Sequence, residues 1–107
     1  MFKLLVALSL FVAIQGQVGG FTDRPDLLNA EQTNAMVRLA VNNIKDQQNL
    51  LVSPINVVSV ATQLVNGINY RVVFTARSPS ATGFLTCTAK IYQSFAGTQS
   101  VSSATCA

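Results

Sequence analysis

Apolar residues recur along this chain with three rhythms, and each predicts a different element. From Leu4 to Ile14 the run is almost unbroken, with Lys3 just before it. Such a run is too short to span a bilayer and has the charged flank of a secretory leader. Cleavage after Gly16 satisfies the small-residue rule. Residues 1–16 are therefore expected to be a signal peptide and 17–107 the mature domain, with a buried N-terminal strand as the competing reading. Gln17 to Pro25 holds two glycines, a proline and little periodicity, so it is expected to be extended and mobile. The rhythm then turns helical. Met36, Leu39, Ala40 and Ile44, with Val37 and Val41 beside them, make one broad apolar face, and Asn34, Arg38 and Asn42 lie off it. Asn29 is the expected N-cap, with Gln32 three residues on in a capping-box arrangement. The helix is expected to fade near Lys45 and Asp46, in a polar run that reaches Asn49.

Beyond that run the period falls to two. Leu50 to Val65 is rich in valine, isoleucine and leucine; Pro54 requires the regular strand to begin after it or to run along an edge. Asn66-Gly67 supplies turn residues, and Tyr70 to Thr75 reads as the returning strand of a hairpin. Tyr70, Val72 and Phe74 share one face of it, and Arg71, Val73 and Thr75 the other. Ala76 to Gly83 is a loop, Phe84 to Tyr92 a strand, Ser94 to Thr98 a turn, and Gln99 to Cys106 a last strand expected at an edge. One helix followed by hairpin-linked strands predicts an α+β fold, with a curved antiparallel sheet burying the helix face.

Composition narrows the chemistry. The 107 residues carry seven Lys and Arg against four Asp and Glu, and no histidine. Loss of Lys3 with the leader leaves six basic residues, scattered along the chain, so neither nucleic acid nor a membrane is an expected partner. With no histidine, Ser/His/Asp and Cys/His hydrolytic constellations are excluded. Asp23, Asp26 and Glu31 cluster at the start of the helix, where the dipole favours acids, which is a plainer account than paired catalytic carboxylates. No phosphate-cradling glycine loop or zinc ligand set is present. The chain is thus not expected to be an enzyme, nor to need a metal or cofactor. Cys87 and Cys106 are the only cysteines. In a secreted chain they most simply form one disulfide, worth about 3 kcal/mol through restriction of the unfolded chain. A free reactive thiol is the alternative, and it lacks a histidine to activate it.

One set of motifs remains. Val18-Gly19-Gly20 stands near the expected mature N-terminus, Gln63-Leu64-Val65-Asn66-Gly67 at the first hairpin, and Cys87 to Tyr92 with Cys106 brackets the second. In this order the chain resembles a secreted cystatin, an inhibitor of papain-like cysteine proteases. That family carries a glycine near the mature N-terminus, a Gln-x-Val-x-Gly first hairpin and a Pro-Trp second hairpin. Gly19 matches the first, and Gln63, Val65 and Gly67 match the second at every defined position. The third should fall near Phe95 and Ala96, where there is no proline, and the chain has no tryptophan. The chain also has a single possible disulfide, where vertebrate secreted cystatins usually have two.

The resemblance implies a cystatin-like fold, with one helix wrapped by a curved sheet of four to five antiparallel strands. It also implies an extracellular, monomeric inhibitor acting as a three-edged wedge. Val18, Gly19 and Gly20 would enter the unprimed side of a protease cleft. Gln63, Leu64, Val65, Asn66 and Gly67 would cover the catalytic pair, with Gln63 orienting the hairpin, and Phe95 would touch the primed side. The alternative is a secreted protein of the same fold that does not inhibit and serves as a venom, salivary or defence binding scaffold.

Overall fold

A computed structural model of the protein describes residues 20–107. The expected signal peptide, Val18 and Gly19 lie outside the described residues. The elements run in the order β1 (Thr22–Asp23), a 3-10 turn (Pro25–Leu27), α1 (Glu31–Gln48), β2 (Ser53–Val65), β3 (Gly67–Arg77), β4 (Phe84–Gln93) and β5 (Gln99–Cys106). The strands form one antiparallel sheet in sequence order, β1-β2-β3-β4-β5, curved around the helix. This is the expected α+β architecture, with β5 at an edge as expected.

The period-2 pattern accounts for the sheet's inner face. Tyr70, Val72, Phe74 and Ala76 on β3 are buried, as are Cys87, Ala89 and Ile91 on β4. They meet Met36, Val37, Ala40 and Ile44 from α1 in one continuous core. Leu39, expected on that face, is exposed at its margin, because the helix is rotated so that Thr33 takes the place at the other side. Thr33 is fully buried, and its hydroxyl donates to the Leu27 carbonyl at 2.6 Å.

That bond accompanies a correction at the helix start. The N-cap is Ala30, not Asn29, and no side chain caps it. Pro25 favours the first turn of a helix and opens the 3-10 turn, which leaves Asn29 one residue too early to cap. The helix runs to Gln48, two residues beyond Asp46, where it was expected to fade. Asn49 ends it in the left-handed conformation (φ 54°), which asparagine tolerates better than most residues. Gln48 Nε2 then donates to the Ala104 carbonyl at 2.6 Å, tying the helix end to β5.

The segment before the helix is more ordered than the sequence suggests. Thr22 and Asp23 pair with Thr62 and Ala61, and Arg24 N–H donates to Val60 O at 2.7 Å. Pro25 then ends the strand, since it has no N–H to offer the next rung. Along β2 the ladder with β3 shifts register between Pro54 and Asn56 and again between Val57 and Ser59. These bulges add local twist and sit where Pro54 occupies the free edge.

Candidate functional site

The first hairpin forms because Gly67 can take a backbone conformation closed to other residues. Its φ is 123°, whereas Asn66 keeps a negative φ. Val65 stands opposite Gly67, so the chain reverses within one residue. Gly67 is buried, and a Cβ placed there would lie 2.6 Å from the Gln93 carbonyl oxygen and 2.6 Å from the Tyr92 hydroxyl. The reversal pushes Leu64 into solvent, 80% exposed, with Val65 beside it at 46%. Gln63 lies below the tip, opposite Asn69, whose Nδ2 donates to Gln63 Oε1 at 3.0 Å. This cross-strand bond fixes the Gln63 side chain to the hairpin stem.

The second turn occupies the same end of the sheet. Gln93 is registered with Ile68 on one side and Gln99 on the other, and Ile68 in turn faces Leu64. Ser94 N–H donates to Thr98 O and Gly97 N–H to Ser94 O, both at 2.9 Å, and Gly97 has φ 92°. Phe95 stands on this turn 82% exposed. Gln99 Nε2 donates to Gln93 Oε1 at 2.9 Å and closes the stem.

The described N-terminal end runs to the same place. With Thr22 opposite Thr62, the antiparallel direction carries Gly20 toward Leu64. Phe21 is held there by Arg71, whose guanidinium carbon lies 4.6 Å from the ring centroid, within cation–π range. Gly20, the Gln63–Gly67 segment and Phe95 are therefore brought to one end of the molecule. Val18 and Gly19 lie outside the described residues.

Sequence reasoning missed the groups that join these parts. Tyr92 donates its hydroxyl hydrogen to the Asn66 carbonyl, and its ring underlies Gly67. Its signal in the sequence is an aromatic residue two positions before the second turn, whose partner across the ladder is Asn69. Phe21 gave only the weak signal of an aromatic after a glycine pair.

No described group has the perturbed, converging geometry of a catalytic centre. The one ion pair among the described residues joins Arg24 Nη2 to Asp26 Oδ2 at 2.8 Å at the surface. The bond from Arg24 holds the Asp26 carboxyl below the ordinary aspartate range, and Asp26 raises the Arg24 guanidinium in return. Among the described residues there is no cluster of three His, Cys, Asp or Glu that could hold a metal. No described helix is long and apolar enough to cross a membrane. Cys87 and Cys106, opposite one another on β4 and β5, are joined by a disulfide with S–S 2.03 Å.

Comparison with solved structures decides the fold. Mialostatin, a gut cystatin from the hard tick Ixodes ricinus, superposes with a TM-score of 0.68 at 19% identity, over 82% of this chain and 97% of that one. A salivary cystatin from the soft tick Ornithodoros moubata gives 0.69 at 19% identity, over 85% and 99%. The chain has the cystatin fold. No family model matches the sequence, and neither does any curated protein. Within this cystatin fold the two hairpin turns and the N-terminal strand share one end, while the 3-10 turn opens the helix at the β1 edge.

Proposed function

We propose that this protein is a secreted, reversible, competitive inhibitor of papain-like cysteine proteases such as cathepsins. The N-terminal segment, with Val18, Gly19 and Gly20, lies in the unprimed side of the cleft. The Gln63–Gly67 hairpin covers the catalytic cysteine and histidine without offering a scissile bond in register. Phe95 contacts the primed side.

The observation that carries this reading is the convergence at one end of a Gln-x-Val-x-Gly hairpin and a second turn, each with a solvent-exposed apolar side chain at its tip. Leu64 and Phe95 lose water contact when they enter a cleft, at roughly 25 cal/mol per Å² of apolar surface. The stems are stitched by side-chain bonds, so little conformational freedom is lost on docking. Initial-rate kinetics of papain at several substrate concentrations test the mode. A rise in apparent KM with constant kcat supports it, and a fall in kcat at constant KM contradicts it.

A second reading is favoured by one feature. The second turn carries Phe95 where inhibitory relatives of this fold carry a Pro-Trp pair, and the chain has no tryptophan. On that reading the same loops serve as a binding scaffold for another partner.

A further inference from the structure

The two turns are not independent, and one side chain makes the connection. Tyr92 belongs to β4, one residue before the strand ends and two before the second turn begins. Its hydroxyl donates to the carbonyl of Asn66, at the tip of the first hairpin. A Cβ on Gly67 would meet Tyr92 Oη at 2.6 Å and Cε1 at 2.8 Å. The ring thus forms the floor on which the tip rests, and Gly67 is buried against it. The neighbouring residue continues the contact, with the Gln93 carbonyl oxygen 2.6 Å from the same Cβ position. Polar bonds stitch the stem on either side, Asn69 to Gln63 at 3.0 Å and Gln99 to Gln93 at 2.9 Å.

From this geometry we infer that Tyr92 is a positioning residue that locks the tip of the first hairpin to the base of the second. The two turns then enter a partner as one rigid body. The part of this inference that concerns binding rests on the inhibitory reading above; the part that concerns the free protein does not. The ring fixes the height of the Gly67 backbone, and the hydroxyl fixes the direction of the Asn66 carbonyl. Leu64 is 80% exposed and Val65 46%, so these two side chains add little packing at the tip. Tyr92 itself is only half-buried and stands outside the main core, so its hydroxyl can be removed without disturbing the packing around α1.

Tyr92→Phe tests this, because it removes the hydroxyl and keeps the ring. Three measurements are made on the oxidised protein comprising residues 17–107. They are hydrogen exchange of the Val65 to Asn69 amides, the dissociation rate from papain, and the thermal midpoint. A single net hydrogen bond corresponds to about a fivefold effect. The variant is expected to exchange about fivefold faster at the tip and to leave papain about fivefold faster. A loss of that size should lower the thermal midpoint by about 4–8 °C, with the fold retained. Unchanged exchange at the tip overturns the inference. So does accelerated exchange spread evenly over the sheet, which is what a merely structural role predicts. If the parent protein does not inhibit papain, the inhibitory reading fails, and hydrogen exchange alone decides whether Tyr92 locks the tip.

Discussion

At Gly67 two restrictions coincide. A φ of 123° is closed to residues with a side chain, and the space a Cβ would fill is already taken by Tyr92 and the Gln93 carbonyl. Relaxing one does not relax the other, since the neighbour on one side is backbone. Gly67→Ala is therefore expected to destabilise the protein by about 2 kcal/mol, or to reshape the hairpin. Urea unfolding with intact hairpin chemical shifts and an unchanged midpoint would contradict this. The surface pair makes a smaller, pH-dependent statement. Because the folded Asp26 carboxyl is held below its ordinary range, its contribution is present above the unfolded pKa and fades as pH falls through the folded one. The Arg24 guanidinium stays charged throughout this window. An NMR titration should place the Asp26 midpoint below the usual aspartate range, and Arg24→Ala should return it there; a normal midpoint in the parent would refute the pairing in solution.

At the scale of elements, the disulfide joins directly opposed positions on the last two strands. It closes a loop with a sequence separation of 19 residues, for which chain restriction gives about 3 kcal/mol. Replacing both cysteines by serine is expected to lower the unfolding free energy by about that amount and to loosen β5 first. Equal stability of the two forms would show that the sheet alone holds the edge strand. The strands were readable in the sequence because the alternation of Tyr70, Val72 and Phe74 admits one face only. The turns were readable because Asn66-Gly67 and Gly97 are turn formers. The helix face was readable at Met36, Ala40 and Ile44. Other features arise from contacts between distant segments and leave no local period. The pairing of Thr22 and Asp23 depends on Ala61 and Thr62, and the buried hydroxyl of Thr33 depends on a carbonyl six residues away. Leu39 fits a helical stripe, yet the helix is rotated to bury Thr33 and leaves Leu39 at the exposed margin. Tyr92 was legible as a strand residue, but its role requires knowing that β3 and β4 bring it beneath Asn66.

At the scale of the whole molecule, the candidate binding end differs from the rest in charge. No Asp, Glu, Lys or Arg occurs from residue 47 to 70 or from 91 to 107, which covers both hairpin tips. Arg71, just behind the first hairpin, is engaged with the Phe21 ring. A neutral, apolar edge offers no electrostatic steering, so association with a protease is expected to change less than about twofold between low and high salt. A steep salt dependence measured by stopped flow would point to a different surface. The candidate site was legible in the sequence at Gln63–Gly67, and less so at Phe95, where a turn residue replaces the expected motif. That departure makes direct inhibition the most telling test. The measurement is the steady-state inhibition constant of the oxidised protein comprising residues 17–107, against papain and a cathepsin L-type enzyme. The account predicts a value of nanomolar order, near −12 kcal/mol of binding free energy. Absence of inhibition at about 10 µM by folded protein would contradict it and leave the cystatin fold serving another partner.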